Sequence, residues 1–393
     1  MNKIINNTFP EKIAIVHDWF SPRSFGGAEL VVKAVDEIFR SRNVMPDLAC
    51  LVDAESTRKG SWLNGRSIST SFIQKCPYGV SHVQQYLPLL PFAIEQLDLF
   101  DYPLVISSSH LVAKGVLTSP DQVHISYIHT PARYAWDQMH VYLKESKMAK
   151  IGLRPLIRWQ LHCLRQWDQL SSSRIDLLLA NSSFTARRIA KYWGKEAKVI
   201  HPPVDVDRFS WNKPREDFYL SVCRLVPNKR VDLLVKAFNK LRLPLLIVGD
   251  GPQRNCFKKI AGPTVKIIGR KNNQEVADLL GRCRAFVYAG IEDFGIAPVE
   301  AMAAGAPVIA LKKGGLVDTV SCATEKDSIS TGLLFRDQTV DSVVDAVKWF
   351  HEKKLWQELE PEVIRDWANK FRVEIFKERF ELEITKALNA KSR

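Results

Sequence analysis

A chain of 393 residues, 46% of them hydrophobic, can bury a large core and is long enough for two domains. Its 56 Lys and Arg residues outnumber 43 Asp and Glu residues, and the resulting charge of +13 predicts an anionic partner. Nucleic acid is disfavoured because zinc-finger spacing, RNA-binding aromatic motifs and basic heptad helices are all missing. The seven cysteines are scattered and never paired as C-x-x-C, so they indicate neither a disulfide framework nor a zinc site.

The residues before the first apolar run are polar and lack the hydrophobic centre of a signal peptide. No apolar run approaches the roughly 20 residues needed to span a bilayer. We therefore expect a cytoplasmic protein, either soluble or held peripherally on the inner face of the cell membrane.

The N-terminal half alternates short apolar runs with helical patterns. Residues 13–16 are typical of a buried parallel strand, and residues 28–39 follow with helical spacing. Gly26 and Gly27 lie in the turn between them, where they would let the backbone approach a phosphate beside a helix N-terminus, although two glycines can also form an ordinary tight turn. Further strands are expected at 48–52, 104–107, 124–128 and 175–180.

Polar side chains stand at the ends of two of these strands. His17 and Asp18 follow the first strand, and His129 follows the strand at 124–128. Because a lone histidine in such a place is commonly structural, the pattern by itself assigns no role to His129.

The segment 144–174 combines seven Lys and Arg residues with Trp159 and Trp167, against only Glu145 and Asp168. Basic residues with interfacial tryptophans are typical of a helix that lies on an anionic membrane. A long surface helix with a packed apolar face has the same composition, so both interpretations remain open.

A Pro-rich stretch at 200–209 interrupts the alternation and predicts the interdomain linker. From residue 219 onward strands and helices alternate again, which predicts a second doubly wound parallel sheet. The expected strands are 219–224, 244–249, 265–268, 285–289, 307–311 and 332–335, and the expected helices are 231–241, 274–283 and 296–304, with helical structure from about residue 340.

The run 288–309 carries the most information about function. It predicts a strand, a turn containing Glu292, and a short helix that tolerates Pro298 in its first turn and is closed by Gly305. Free amides at the start of that helix favour an anion, and Glu292 and Glu300 can accept hydroxyl groups, so a nucleotide sugar would fit. The amides belong to Phe294, Gly295 and Ile296.

Two further loops follow strands of this half. Arg224 and Lys229 come after the strand at 219–224, where a guanidinium fork and an ammonium would suit a diphosphate, although both could be solvated loop charges. Gly269 and Arg270 follow the strand at 265–268, at the place expected to contact the nucleotide base.

These motifs together resemble those of retaining glycosyltransferases of the GT-B architecture, family 4. Glu292 to Glu300 resembles the E-x7-E signature, and the Arg224 to Lys229 loop resembles the family's diphosphate-binding pair. The loop at 24–29 resembles its N-terminal Gly-rich loop, and the sequence from His129 to Tyr134 resembles the His-Thr-Pro-x-Arg-Tyr motif of one branch. The resemblance covers about residues 13 to 335.

The resemblance implies two Rossmann-like α/β domains, each a doubly wound parallel sheet, facing a cleft at the carboxyl ends of their strands. The expected domains are 1–203 for the acceptor, 204–370 for the nucleotide sugar, and a helix at 371–393 that crosses back to the first domain. It also implies that Glu300 binds the ribose, that Glu292 and His129 contact the transferred sugar, and that His17, Asp18 and Arg133 are candidates for the acceptor.

The implied reaction is transfer of a hexose, with retention, from UDP-glucose or, close behind, GDP-mannose to a polysaccharide or lipid-linked saccharide. We expect a front-face mechanism with no cofactor and no metal, because Arg224, Lys229 and helix amides would stabilise the leaving diphosphate. The D-x-D pattern of Asp205 and Asp207 then has a structural role. Two alternatives remain: a sugar-nucleotide epimerase of the same fold, and a non-catalytic sugar-nucleotide-binding protein.

Overall fold

In the computed structural model, which describes residues 9–21, 26–145, 152–322 and 330–391, both halves of the chain form parallel sheets. The chain divides into two units: unit 1 comprises residues 1–203 and 376–393, and unit 2 comprises residues 204–375. The predicted fold class, two Rossmann-like α/β domains, is confirmed. No helix in the described ranges is long and apolar enough to cross a membrane.

Unit 1 contains a seven-stranded sheet with the order β3-β2-β1-β4-β5-β6-β7, in which every pairing is parallel. The short edge strands β3 and β7 escaped the sequence analysis because two or three residues give no apolar run. The strands are β1 Ile13–His17, β2 Asp47–Cys50, β3 Ile68–Thr70, β4 Leu104–Ser109, β5 Val123–Ile128, β6 Leu177–Ala180 and β7 Lys198–Val199.

The helices of unit 1 pack their apolar sides on this sheet, whose central strands are buried along their whole length. The helices are α1 Gly27–Arg40, α2 Leu90–Glu95, α3 Met139–Glu145, α4 Arg154–Ser172 and α5 Ser183–Trp193, with 3₁₀ turns at Phe72–Lys75, Val83–Leu89 and Ala113–Gly115.

The sequence suggested one helix over the basic segment 144–174, but residues 152 and 153 are not helical and α4 begins only at Arg154. Residues 146–151 of this segment lie outside the described residues. A buried polar cluster fixes α4 on the unit. Asp168 accepts hydrogen bonds from the indole N–H groups of Trp136 and Trp193, both at 2.8 Å, and its other oxygen lies 3.2 Å from Lys114 Nζ. One side of α4 is therefore committed to the core.

Unit 2 contains a six-stranded parallel sheet with the order β10-β9-β8-β11-β12-β13. All six strands were predicted from their apolar runs. They are β8 Tyr219–Val222, β9 Leu245–Val248, β10 Val265–Gly269, β11 Ala285–Tyr288, β12 Val308–Leu311 and β13 Gly332–Phe335.

The helices of unit 2 cover both faces of that sheet. The last helix, α14, begins in unit 2, and from Phe376 onward its residues belong to unit 1. The helices are α6 Val231–Leu241, α7 Arg254–Ile260, α8 Asn273–Arg282, α9 Ile296–Ala303, α10 Leu316–Thr319, α11 Val340–Glu352, α12 Leu355–Glu358, α13 Pro361–Ala368 and α14 Val373–Lys391, with 3₁₀ turns at Val206–Arg208, Pro227–Lys229 and Asn369–Phe371.

Candidate active site

The strand order of unit 2 reverses between β8 and β11, the point at which open parallel sheets form a crevice beside the carboxyl ends of their strands. The loop after β8 carries Arg224 and Lys229, and the loop after β11 carries Glu292. Open parallel sheets bind ligands at such a reversal. The topology of unit 2 alone thus brings three of the predicted site residues to the place where a ligand is expected.

Lys229 and Glu292 form an ion pair across this reversal. Tyr288, the last residue of β11, donates its hydroxyl hydrogen bond to the same carboxylate oxygen, Oε1. The two loops pass so closely that a Cβ on Gly290 would lie 3.0 Å from Lys229 Cα. Glu292 is therefore held by a cation and a hydroxyl group at once.

Arg224 lies two residues beyond the end of β8, since the strand stops at Val222 rather than at residue 224 as predicted. Its side chain is exposed and makes no ion pair or hydrogen bond with the described residues. The loop beneath it is tightly packed: Gly249, at φ +141°, would place a Cβ 1.8 Å from Cys223 O, and Leu225 N–H donates to Asp250 O at 2.9 Å. The G-x-G at 249–251 thus supports the Arg224 loop.

The N-terminus of α9 follows the Glu292 loop. Gly295 precedes the helix at φ +96°, a conformation that favours glycine, and the helix starts at Ile296. Gly315 N–H donates to Glu292 O at 2.9 Å, and a Cβ on Gly314 would lie 2.3 Å from the same oxygen. The loop that leads into the helix is therefore fixed from outside by the turn after β12.

Glu300, in the second turn of α9, does not join the Lys229 and Glu292 pair. Its Oε1 accepts a hydrogen bond from Arg208 Nη2 at 2.6 Å. Burial raises the pKa of Glu300, although the nearby Arg208 lowers it in part. The two glutamates thus have separate cationic partners in the unliganded chain.

The D-x-D residue Asp207 is engaged by two arginines. Arg365 donates to it at 3.0 Å, and Arg372 donates to its other oxygen. Hydrogen bonding to Arg365 is the main cause of the lowered pKa of Asp207. Asp207 thereby ties the start of unit 2 to its end. In the described ranges no group of three or more His, Cys, Asp or Glu side chains could hold a metal ion.

Gly269 and Arg270 lie at the end of β10, on the far side of β9 from β8. Gly269 has φ +77°, and a Cβ there would lie 2.7 Å from Arg254 Nη2. Arg270 is exposed. Gly269 O accepts a hydrogen bond from Gly249 N–H at 2.9 Å, which links this loop to the glycines that support Arg224.

In unit 1 the strand order reverses between β1 and β4, and Asp18 follows β1 at this reversal. Asp18 is fully buried and accepts four backbone N–H hydrogen bonds at 2.6 to 3.0 Å from the turn after β4. Burial alone would raise the pKa of Asp18, but His110, His17 and the N–H donors outweigh it and lower the pKa. The carboxylate is an anchor of this turn. The donors belong to His110, Leu111, Val112 and Ala113.

Three histidines surround this reversal: His17 ends β1, His110 follows β4 and His129 follows β5. Ser108 links two of them, because its carbonyl oxygen accepts from His17 Nδ1 at 2.9 Å and its hydroxyl group is 2.8 Å from His129 Nε2. Burial lowers the pKa of His17, and burial together with His17 and His110 holds the pKa of His129 well below its usual value. Both rings are therefore neutral at physiological pH, and His17 Nε2 is buried with no hydrogen-bond partner in the described structure.

The remaining predicted residues of unit 1 lie on either side of the histidines. Gly26 caps α1, and its N–H donates to Glu29 Oε2 at 2.8 Å. Ser24 and Phe25 of the Gly-rich loop lie outside the described residues. Arg133 is half-buried and is not without a partner.

Comparison with known proteins assigns both units. The family model "Glycosyltransferase Family 4" matches residues 25–208, and the model "Glycosyl transferases group 1" matches residues 204–369. Each unit is thus similar to a glycosyltransferase domain, and the two matches together extend from residue 25 to residue 369.

Relatives with curated names match this GT-B chain over part of its length. A glycosyltransferase of Methanocaldococcus jannaschii, described as uncharacterized, is 30% identical over 164 residues, or 40% of this chain and 46% of its own. A GDP-mannose-dependent monoacylated alpha-(1-6)-phosphatidylinositol monomannoside mannosyltransferase of Corynebacterium glutamicum is 29% identical over 218 residues, or 45% of this chain and 55% of its own. The chain thus spans about half the length of the curated relatives it matches.

The fold likeness extends over nearly the whole GT-B chain. The crystal structure of HepE from Anabaena, solved with UDP, has a TM-score of 0.68 and covers 95% of this chain and 100% of its own, at 16% sequence identity. At that identity the likeness establishes the fold alone.

Several residues of the site escaped the sequence analysis. Tyr288 gave no signal because a tyrosine in an apolar strand is an ordinary core residue. Arg208 was read as part of the linker, whereas it pairs with Glu300. His110 could have been found, since it follows the predicted strand at 104–107 in the same way that His129 follows the next one.

Proposed function

We propose that this GT-B chain is a retaining glycosyltransferase that moves a hexose from a nucleoside diphosphate to a hydroxyl group of a polysaccharide or lipid-linked saccharide. One observation carries the proposal: the exposed Arg224, which has no side-chain partner among the described residues, lies in the same loop as Lys229, and Lys229 is paired with Glu292 across the strand-order reversal of unit 2. This arrangement offers cations for phosphate and a carboxylate for sugar hydroxyls at the same strand-order reversal.

In this proposal the diphosphate changes the partner of Lys229. Without a ligand, Lys229 and Glu292 neutralise each other. A bound diphosphate would attract Lys229 and Arg224, and the released Glu292 would accept a hydrogen bond from a hydroxyl of the transferred sugar. Tyr288 would keep the carboxylate in position during the exchange, because it contacts Oε1 independently of the lysine.

The leaving diphosphate gains negative charge as the glycosidic bond breaks. Arg224, Lys229 and the amides at the start of α9 would stabilise that charge, so the proposed reaction needs no metal or other cofactor. The diphosphate oxygen would take the acceptor proton on the same face of the sugar, which gives retention. The engagement of Asp207 by Arg365 and Arg372 supports a structural role for the D-x-D pattern.

Glu300 is proposed to bind the ribose. Its carboxylate is mostly buried and already accepts from Arg208, so a ribose hydroxyl would add a second donor to a group whose burial otherwise disfavours its charge. Arg208 would hold the carboxylate in the ionised form that accepts hydrogen bonds.

The histidines of unit 1 suit uncharged ligands. A neutral His129 can exchange hydrogen bonds with a hydroxyl of the transferred sugar but offers no charge to a phosphate. His17 and Arg133 are kept as acceptor candidates. Asp18 would act indirectly, by fixing the turn that carries His110, because its oxygens are occupied by backbone N–H groups.

Two donors are proposed for the first tests. UDP-glucose is the first expectation because UDP sugars are frequent among similar enzymes, whereas the Corynebacterium glutamicum relative, at 29% identity, is named as GDP-mannose-dependent. That name favours GDP-mannose, because likeness at 16% identity to a structure with UDP carries no weight for the donor.

The deciding experiment is a panel of UDP and GDP hexoses with a saccharide acceptor, scored by release of the nucleoside diphosphate and by the anomeric configuration of the product. Acceptor-dependent release from one donor, lost in Arg224→Ala, is the expected result. Formation of a second epimer of the donor without release would indicate an epimerase. Nucleotide-induced stabilisation with no turnover of any donor would indicate a binding protein.

A further inference from the structure

Helix α4 exposes large apolar side chains on the side that faces away from the core. Ile157, Leu161 and Leu164 are buried in unit 1, whereas Trp159 is 62% exposed and Leu156 is 47% exposed. An exposed tryptophan is costly to leave in water, since burying such a ring is worth several kcal/mol. Only part of the apolar surface of this helix is therefore used by the fold.

The neighbouring segment adds to this surface. Phe92, in α2, is 56% exposed, and Leu89 just before that helix is 45% exposed. The ring of Phe92 lies 5.8 Å from that of Phe72, which is 39% exposed. We call the exposed apolar residues Phe72, Leu89, Phe92, Leu156 and Trp159 the apolar face of unit 1.

A groove of about 230 Å³ lies between residues 87–91 and helix α4. Leu87, Pro88 and Pro91 form one wall, and Trp159 and Cys163 belong to the other. The groove is smaller than the roughly 300 to 1,000 Å³ clefts that hold drug-sized ligands, so its size suits a narrow chain rather than a ring system.

The groove is a fixed feature because Trp167, which lines it, is held firmly. A Cβ on Gly115 would lie 2.2 Å from the Trp167 ring, so the ring packs directly on that backbone. The indole N–H of Trp167 donates to Glu95 at 2.9 Å, and Arg174 pairs with the same carboxylate at 2.7 Å. The lining is thus preorganised and does not depend on a ligand.

Exposed basic residues are close in sequence to the residues of the apolar face. Arg154, Arg158 and Lys75 are exposed. The acidic residue of α2, Glu95, is paired with Arg174, and the acidic residue of α4, Asp168, is buried beside Lys114. Both carboxylates thus have partners inside unit 1. Arg165 and Arg174 are likewise engaged internally, so the described basic residues left for a partner are fewer than the composition of segment 144–174 suggests.

We propose that the apolar face docks on an anionic lipid bilayer, with Trp159 and Phe92 at the level of the headgroups and one hydrocarbon chain entering the groove. Aromatic residues beside Arg and Lys are the side chains found where an apolar surface meets charged headgroups. The proposal does not require the proposed transferase activity, since binding to vesicles needs neither donor nor acceptor.

Vesicle binding tests the charge requirement. The full-length protein should bind vesicles of phosphatidylglycerol at low salt, bind phosphatidylcholine vesicles at least tenfold more weakly, and lose affinity as salt is raised. Arg154→Gln combined with Arg158→Gln should lower the affinity by about tenfold or more. The matched control is Lys258→Gln with Lys259→Gln, two exposed lysines of α7 in unit 2, which should bind as the wild type does.

A second pair of variants tests the apolar contribution. Trp159→Gln with Phe92→Gln should lower vesicle affinity about tenfold or more while the melting temperature stays within a few degrees, because both side chains are exposed. Trp349→Gln, which removes an exposed tryptophan of α11 in unit 2, should leave vesicle binding unchanged.

Cysteine labelling locates the contact without any substitution. Cys163 lines the groove and Cys256 is exposed on α7 of unit 2. Phosphatidylglycerol vesicles should slow alkylation of Cys163 several-fold and leave Cys256 unaffected. Equal rates for Cys163 with and without bound vesicles would remove the groove from the proposal.

Failure of the wild type to bind anionic vesicles at low salt would overturn the docking surface. A concentration-dependent dimer that disappears in the Trp159 and Phe92 variant would assign the apolar face to a second copy of the chain instead. Failure of the nucleotide-sugar panel with intact vesicle binding would affect only the proposed function.

Discussion

The two strand-order reversals of this chain share one topology but carry opposite chemistry. In unit 2 the reversal between β8 and β11 carries charged side chains: Lys229 is paired with Glu292, and Arg224 has no side-chain partner in the described part of the chain. In unit 1 the reversal between β1 and β4 carries the neutral His17 and Asp18. The carboxylate oxygens of Asp18 already accept hydrogen bonds from backbone N–H groups. The two sheets therefore share a topology, and the residues at the strand ends give each reversal its own chemical character.

The largest predicted effect comes from removing the Arg224 side chain of unit 2. Arg224→Ala should lower turnover by about a hundredfold or more, as loss of a preorganised electrostatic partner does. Because the side chain is exposed and unpaired, the melting temperature should not change. Steady-state kinetics with the preferred donor measures the effect, and Lys236→Ala on α6 is the control. Turnover within threefold of wild type would contradict the charged character assigned to this site.

The next prediction concerns the buried histidines of unit 1. Burial lowers the pKa of His124 from 6.5 to about 4, so the unfolded chain binds the proton first as the pH falls. The free energy of unfolding is therefore highest above the pKa of the unfolded chain. Between about pH 7.5 and about pH 5, His124 alone should lower it by about 2 kcal/mol. Thermal unfolding across this range measures the loss, and His124→Gln should show a shallower dependence. A flat profile for the wild type would contradict the burial of neutral histidines.

Glu292 and Glu300 have different cationic partners, and variants at the two positions should differ in their affinity for the free nucleotide. Glu300→Gln should weaken nucleoside diphosphate binding about tenfold, since a hydrogen bond to a charged group contributes about 1.5 to 3 kcal/mol. Glu292→Gln should retain that affinity yet impair transfer, because it is assigned to the sugar. Titration calorimetry with the nucleotide alone distinguishes them, and equal losses would remove the division of roles.

A smaller effect is expected from the hydroxyl group of Tyr288. Tyr288→Phe keeps the ring in the core and removes the hydrogen bond to Glu292, while Lys229 still contacts the same oxygen. Turnover should fall about fivefold with unchanged nucleotide affinity. Kinetics combined with calorimetry tests this, and a variant that loses nucleotide affinity to the same extent would place Tyr288 in the nucleotide site rather than beside the sugar.

The smallest expected effect is that of a chelator. Activity should persist in excess chelator, because cationic side chains and helix amides face the proposed diphosphate site and Asp207 is bound to two arginines. Activity that is lost with chelator and restored by manganese or magnesium would return Asp205 and Asp207 to the site and weaken the contrast between the two units.

The fold was largely readable from the sequence, because strands buried on both faces form continuous apolar runs such as residues 285–288. The E-x7-E run and the glycines could be recognised because a charged residue, a turn and the start of a helix are each encoded by residues that are neighbours in the sequence. Partnerships between distant residues left no local trace: Arg208 with Glu300 and Lys229 with Glu292 are separated by 92 and 63 residues. The helix start at Arg154 was missed because the basic composition continues on both sides of it.

The ends of unit 2 meet. Val204 N–H donates to Phe371 O at 2.8 Å. Close to this contact in sequence, Asp207 forms ion pairs with Arg365 and Arg372. A segment whose first and last residues are neighbours has the geometry of an inserted domain, which can be excised or relinked without stretching its backbone. Residues 204–375 are therefore the natural piece to express alone, and the same geometry would accommodate exchange of this unit between related chains.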